Sequence, residues 1–523
     1  MVYAKKIMVW ATTEGDGLTW LVALAASVLL LLWICRKLPL KPRSSSEFPR
    51  CPPGFPILGN CMLLNGSAHE LLSDLAWNQG YGDLFGLWLG SIPTVVVTSA
   101  DLAKEVLHMN DKILANRGSY LFLKDLYYGY NQGIIFSSYN PRWVWRRKIF
   151  SLELLTLKRM QELQAIRYAE LRKLLKRLQD SMDMGPRPVD VGQQVYGMTA
   201  NTTLLLLQSR PLEKAIIEPP ELVHILDDET LPAIGDFVPW LSFLDFFNSR
   251  RRWRAHRRID ALMESILGER RRLMAHCSPD ELPHDFLQVL LSKEGALDEE
   301  HLTTTEIKAV VLDMFAGAVH TSATMVEWAM AELLRHPECM RRLQEEVDSV
   351  MALRCNGVDS VDLVVNDDHV QEMPYLRNIL KEVLRLHPIL PLLLPRVAST
   401  GFRLGKYWLP PGTNVLVNAW AIARDPRYWT RPTEFWPDRF LEVEIDLHGQ
   451  DYEYLPFGSG RRVCPGMRLG MSVVQVTLAN LLRQFDWELP QGQNANSVDM
   501  SCKGGLGNRK AAPLLAIPRK RNL

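Results

Sequence analysis

The stretch Phe457-Gly458-Ser459-Gly460-Arg461-Arg462-Val463-Cys464-Pro465-Gly466 holds the side chain with the widest chemical reach, a cysteine in a loop of glycines and arginines. Gly458 and Gly460 permit positive φ and close approach of the backbone to a flat ligand, and Arg462 sets a permanent cation near the sulfur. Cations and backbone N–H groups lower a thiol pKa, and the thiolate is the form that ligates iron. Taken alone, the cysteine also reads as an ordinary residue of a glycine-rich turn. A second candidate is His320-Thr321, inside the apolar run Val310 to Thr324, where only Asp313 and His320 ionise. An imidazole there is either a satisfied core group or a proton carrier, since it titrates near neutrality and both gives and accepts. Glu382 and Arg385 are three apart and can pair on one helix face, a weak signal by itself because such pairs are commonly at the surface. Pro141-Arg142-Trp143-Val144-Trp145-Arg146-Arg147-Lys148 combines indole N–H groups with guanidiniums, both donors to carboxylates, or else forms a solvated basic face.

These groups need elements to position them. Thr303-x-x-Glu306 is a capping box, so a helix starts there and continues to about Leu334, before His336-Pro337 stops it. About 31 residues give roughly 46 Å, enough to cross a large domain. The runs Leu84–Gly90 and Thr94–Thr98 predict a β-hairpin or meander, and Arg396–Leu416, broken by Gly401, Gly405 and Pro410-Pro411-Gly412, a second small sheet. Ala115-Asn116-Arg117 leads into an aromatic stretch from Tyr120 to Phe136, whose rings taken singly are core fillers. Pro141 opens a helix, and Leu469 to Leu482 is a strongly apolar one. Between Leu212 and Trp253, Pro219-Pro220, Pro232 and Pro239 imply short helices and loops, with the apolar run from Trp240 suited to dipping into a membrane. Arg250 to Arg258 reads as an exposed helix face.

At 523 residues the chain has room for several domains or one continuous unit. A net charge of +1 with 23% charged residues offers no field for nucleic acid, and the 47% hydrophobic share is that of a folded protein. The eight cysteines lack metal-type pair spacing, which argues against a zinc site and a disulfide framework and fits a reducing compartment. Leu18 to Cys35 is uncharged over about 18 residues, just enough to span a bilayer core. A signal peptide is the competing reading; against it, the run exceeds an h-region of roughly 7–15 residues and Arg36-Lys37 closes it without a cleavage site. Basic residues after the span place the rest of the chain in the cytosol. The expected organisation is a lumenal 1–17, an anchor over 18–35, a basic and proline-rich stiff linker over 36–56, and a globular 57–523.

Phe457, Gly460, Arg462, Cys464 and Gly466 together resemble the haem-binding loop of the cytochrome P-450 family, and Pro52-Pro53-Gly54-Phe55-Pro56 with Ile57-Leu58-Gly59-Asn60 resembles the hinge of its plant microsomal members. Gly317-Ala318-Val319-His320-Thr321-Ser322 is similar to the family's proton-relay segment, with Thr321 matching the alcohol and Ala318 and His320 departing from the usual glycine and acid. Phe435-Trp436-Pro437-Asp438-Arg439-Phe440 resembles the segment whose arginine joins the helical pair, giving a structural triad of Glu382, Arg385 and Arg439. The resemblance covers nearly the whole chain. It implies a mainly α fold with small β-sheets, the P-450 fold, with a single N-terminal transmembrane helix. It implies haem b with Cys464 as axial ligand and Trp143, Arg147, Arg396, Phe457, Arg462 and Gly466 around it, Trp143, Arg147 and Arg396 meeting the propionates. Val144 stands where many relatives have arginine. Thr321 and His320 would carry protons, and Tyr120, Phe122, Phe315, Ala318, Leu392, Leu393 and Gly505 would line the substrate pocket, Gly505 from a hairpin over Met500 to Gly507.

The activity so implied is a monooxygenase of the endoplasmic reticulum membrane, using O2 and electrons from NADPH-cytochrome P-450 reductase, since no glycine fingerprint for a flavin lies between strand and helix. Its substrate would be a small lipophilic plant-type specialised metabolite, phenylpropanoid or flavonoid ahead of terpenoid, steroid or alkaloid; Met467-Arg468-Leu469-Gly470 resembles flavonoid hydroxylases. Two alternatives stand beside it: a haem-thiolate enzyme catalysing rearrangement, dehydration or desaturation, and a non-catalytic membrane-tethered haem protein.

Overall fold

The computed structural model describes residues 48–521 except 65, 184, 186, 212–220, 223–224, 227–232, 279–280, 296–300 and 355–363. The expected lumenal segment and anchor, most of the linker, and Pro219, Pro220 and Pro232 therefore lie outside the described residues.

Helix α1 (Ala68–Trp77) precedes the hairpin of β1 (Leu84–Leu89) and β2 (Ile92–Val97), in which Leu84 faces Val97 and Leu89 faces Ile92. Helix α2 (Pro141–Leu154) starts where the Asn140 side chain accepts the Trp143 N–H at 2.8 Å, with Pro141 in the first turn. Helices α3 (Gln164–Asp183) and α4 (Val191–Gln208) pack together, and α5 (Phe246–His276) follows a short 3₁₀ turn over Pro239–Asp245. Most of the arginines of α5 lie outward as a basic face predicts, but Arg252 turns inward to Asp125 at 3.2 Å.

Helix α6 (Thr304–Arg335) is the central element, packed against α4 and against the C-terminal helix α9 (Met467–Gln484), and it separates from α7 (Pro337–Arg354) at His336. It is the one helix among the described residues long and apolar enough to cross a membrane, and its burial inside the domain accounts for that composition. At its start the Thr303 hydroxyl accepts the Glu306 N–H at 3.2 Å while Glu306 accepts the Thr303 N–H at 3.0 Å. The same carboxylate receives Arg142 at 2.8 Å and Arg146 at 2.7 Å, so the cap also fastens α2 to α6.

The Arg396–Leu416 region corrects the expectation of a separate sheet. Strands β3 (Arg396–Val397) and β4 (Asn414–Val417) join the first hairpin in the order β1-β2-β4-β3, with Thr94 beside Asn414 and Val97 beside Val417 in parallel register. Val95 to Val97 are buried on both faces, the pattern of an interior strand, and β4 pairs the edge of β2 that β1 leaves open. Only Phe402–Leu404 and Tyr407–Leu409 form a small hairpin of their own. Strands β5 (Cys502–Lys503) and β6 (Arg509–Lys510) make the C-terminal hairpin.

Helix α8 (Pro374–Leu386) carries Glu382 and Arg385, both fully buried. Arg385 grips Glu382 through Nε at 2.8 Å and Nη2 at 2.9 Å, and Arg439 Nε reaches both carboxylate oxygens at 3.0 Å. The remaining guanidinium N–H groups are donated to backbone carbonyls, among them Ala423 at 2.8 Å and Arg431 at 3.0 Å. Removing the carboxylate would leave two buried cations unpaired, which costs about 3–5 kcal/mol. Glu382→Ala should lower unfolding stability by about that amount in chemical denaturation, against a change within about 0.5 kcal/mol for the exposed Glu345→Ala.

Candidate active site

A cavity of about 600 Å³ lies between α6, the loop around Cys464, the Ile134–Phe136 segment and the loop of the β5–β6 hairpin. The loop takes its shape from Gly460, whose φ of 70° belongs to the left-handed region and whose missing Cβ would stand 2.4 Å from the Leu107 carbonyl. Cys464 N donates to the Phe457 carbonyl at 3.0 Å, closing the turn, and α9 begins three residues later. The open side of Cys464 is the cavity itself. Burial pushes its thiol pKa up, against the lowering effect of the Gly466 and Met467 N–H groups and of Arg147. One expectation changes here: the nearby cation acting on Cys464 is Arg147 rather than Arg462.

Arg117, Arg147, Arg396 and Arg462 are among the arginines that line the cavity. Arg462 donates to the carbonyls of Ala115 at 2.7 Å, Ile134 at 3.3 Å and Ser137. Arg147 donates to the Val463 carbonyl, and Arg396 to Asp111 at 3.0 Å and the Ser459 carbonyl at 2.9 Å. Arg117 holds the carbonyls of Leu394 and Pro395, each at 2.8 Å. Burial first, then Arg396 and Arg147, press the Arg462 pKa down to about 9, and burial with the neighbouring guanidiniums lowers that of Arg117. Asp111 answers Arg396 with a carboxylate, and the remaining excess of buried positive charge suits a flat ligand bearing two carboxylates.

Trp143 is not among the residues that line the cavity. Its indole N–H donates to the Ile134 carbonyl at 2.8 Å, while its ring lies 4.0 Å from the Arg462 guanidinium and 5.4 Å from that of Arg147, which it helps to position. Val144 is exposed on the outside of α2. Phe457, Gly466, Ala318, His320, Thr321, Leu393 and Gly505 all line the cavity. Phe315 does not: it and Val319, four apart, share the opposite face of α6 and enter the core. Tyr120 and Phe122 stack on one another at 5.5 Å behind Phe136, which with Tyr127 reaches the cavity. Leu392 packs with Leu72 and Phe85, because Leu393, at φ 50°, reverses the chain between them. The sequence reading missed Arg117 as a site residue, which no local motif marks, and Thr199, Thr202 and Thr203, whose place in an apolar helix reads only as interior.

On α6 the Thr321 hydroxyl donates to the Gly317 carbonyl at 2.8 Å, and His320 Nδ1 lies 3.2 Å from Thr324 Oγ1, with Tyr196 edge-on to its ring. A Cβ on Gly507 would come within 3.9 Å of the His320 ring, so the hairpin loop borders this histidine. The other cysteine near the hairpin, Cys502, is not part of the lining; its sulfur lies 3.1 Å from Ser67 Oγ, beside His69 and Glu70.

Residues 49–513 match the family model described as Cytochrome P-450. The chain is 36% identical over 496 residues to a flavonoid 3'-monooxygenase of Arabidopsis thaliana, covering 92% of this chain and 93% of that one. It is 35% identical over 480 residues to cytochrome P-450 71B9 of the same plant, covering 90% and 92% respectively. A solved zebrafish cytochrome P-450 with progesterone superposes with a TM-score of 0.71 at 26% identity, over 86% of this chain and 99% of the other. The cavity suits the cofactor of such proteins, haem b: a sulfur facing inward for the iron, and buried guanidiniums for two propionates. Arg462→Met should remove a charge-assisted contact of about 1.5–3 kcal/mol and raise the rate of haem transfer to an excess haem acceptor by roughly ten- to hundredfold. An unchanged transfer rate would mean that Arg462 does not face a propionate.

Proposed function

The chain belongs to the cytochrome P-450 family, with haem b as its cofactor, and from that premise we propose that it is a membrane-tethered monooxygenase inserting one oxygen atom from O2 into a planar phenolic metabolite of the phenylpropanoid or flavonoid class. The observation that carries the reading is a single cavity in which a cysteine sulfur, a cluster of buried arginines and a helix bearing an alcohol and an imidazole converge.

Haem b, held through Cys464, would supply the redox chemistry that activates dioxygen. The chain's own residues do the rest. Arg147, Arg396 and Arg462 would hold the propionates, and Phe457 and Gly466 would bound the sulfur side. The apolar walls, including Leu206, Leu393 and Val474, exclude water and favour a lipophilic substrate. Tyr127, Phe136 and Phe150 offer ring faces and edges to a planar compound, and the hydroxyls of Thr202 and Thr203 offer polar partners for phenols. Thr321 and His320 hold protons beside the reaction site, Thr321 at Oγ1 and His320 in the position where relatives carry an acid, with Thr324 Oγ1 orienting its Nδ1.

Tethering and electron supply complete the proposal: the span 18–35 anchors the domain on the cytosolic side of the endoplasmic reticulum, and electrons arrive from NADPH-cytochrome P-450 reductase. The exposed apolar residues Phe55, Ile57 and Met62 and the exposed Trp240, Phe243 and Phe247 support a membrane-resting face, because both groups adjoin one cluster containing Leu58, Phe237, Val238 and Leu241.

With reductase, NADPH and ¹⁸O₂, a flavonoid or simple phenylpropanoid should yield product carrying one ¹⁸O atom, while terpenoid, steroid and alkaloid candidates turn over less. Product free of label would instead indicate rearrangement, dehydration or desaturation. Positioned proton transfer contributes roughly 10²–10⁴-fold. His320→Ala should therefore lower product formation at least about tenfold and raise the hydrogen peroxide released per NADPH consumed; full turnover without added peroxide would remove His320 from proton delivery.

A further inference from the structure

A group of side chains at the joint between α1 and the C-terminal hairpin takes no part in the chemistry above. His69 Nε2, a Glu70 carboxylate oxygen and Cys502 Sγ all lie within 4.8 Å of one another. His69 is buried at 5% exposure, its ring edge-on to Trp420 at 5.2 Å, and its Nε2 has no hydrogen-bond partner among the described residues. A buried polar atom left unpaired costs free energy, and a ligand at this position would satisfy it. Glu70 Oε1 stands 4.0 Å from that nitrogen, beyond a hydrogen bond, and its exposed side chain is free to swing inward around a shared ion.

We propose that His69, Glu70 and Cys502 form a binding site for one zinc-class divalent cation, separate from the haem, that ties the β5–β6 hairpin to α1. An imidazole nitrogen, a carboxylate oxygen and a sulfur suit zinc, and three protein ligands leave a fourth position for water. Binding forms the Zn–S bond and releases the Cys502 thiol proton to solvent, with no change of oxidation state. Ser67 Oγ, 3.1 Å from the sulfur, remains as a hydrogen-bond donor that orients it.

The position of the ion gives it a consequence. Gly504 packs so closely on Gly66 that a Cβ would lie 2.6 Å from the Gly66 Cα, so the hairpin already leans on the turn before α1. The loop that follows Cys502, residues 503–507, lines the cavity and borders His320. Zinc at this joint would pin one wall of the substrate pocket, and its loss would free that wall to move.

Holoenzyme stripped with EDTA and dialysed against micromolar zinc chloride should retain about one zinc per haem, counted by emission spectrometry against haem iron. Cys502→Ser and Glu70→Gln should each weaken zinc retention at least about tenfold at unchanged haem content, which also shows that the variants fold. Amide exchange in 504–507 should slow on adding zinc to the unsubstituted protein and not to Cys502→Ser. Zinc at background level, or retained equally by Cys502→Ser, would overturn the site, whichever way the monooxygenase reading stands.

Discussion

Arg117, Arg147, Arg396 and Arg462 face one cavity, where each guanidinium has lost most of its water and Arg117 and Arg462 also feel the repulsion of their neighbours. An ion buried in this way costs several kcal/mol after relaxation, so the surrounding chain must answer each N–H group. It does so with carbonyls: Ala115, Ile134 and Ser137 from the segment before α2, Leu394 and Pro395 ahead of β3, and Ser459 and Val463 in the cysteine loop. These carbonyls belong to stretches separated by hundreds of residues. The arginines therefore define where three distant pieces of chain meet, and a dianionic cofactor completes the charge balance that they begin.

The same device recurs where no cofactor is needed. Glu382 accepts two guanidiniums between α8 and the segment leading to the cysteine loop, and Glu306 accepts two between α6 and α2. In both places one nearly fully buried carboxylate serves two arginines, which also donate to backbone carbonyls. The first fastens α8 to the segment around Arg439, and the second sets the start of the helix that carries His320 and Thr321. Rigid supports on both sides of the cavity are what a reaction needing ångström-level placement demands.

Much of the fold was legible because its signals are local. The capping box at Thr303, the stop at His336-Pro337, the start at Pro141 and the first β-hairpin all rest on interactions within a few residues. The misplacements have a common cause. Trp143, Phe315, Phe122 and Leu392 are the right kinds of residue in the right neighbourhood, but a helix phase, a buried carbonyl at Ile134 or the reversed backbone at Leu393 turns each away from the cavity. The supposed second sheet failed likewise, since a strand pattern carries no information about which edge it will pair with.

The amino-acid order by itself determined the chemistry available: a cysteine in a glycine-rich turn, an alcohol and an imidazole on a buried helix, and cations enough for an acidic cofactor. Those properties belong to residue types and short spacings, which survive in any fold. Only the tertiary structure decided the surroundings of Cys464, where burial opposes the donors that the local motif supplies. It alone recruited Arg117, and it alone set Cys502 beside His69 and Glu70 rather than in the haem cavity. Desolvation and contacts between distant segments arise only after the chain has closed on itself, and they settle which of the available groups act together.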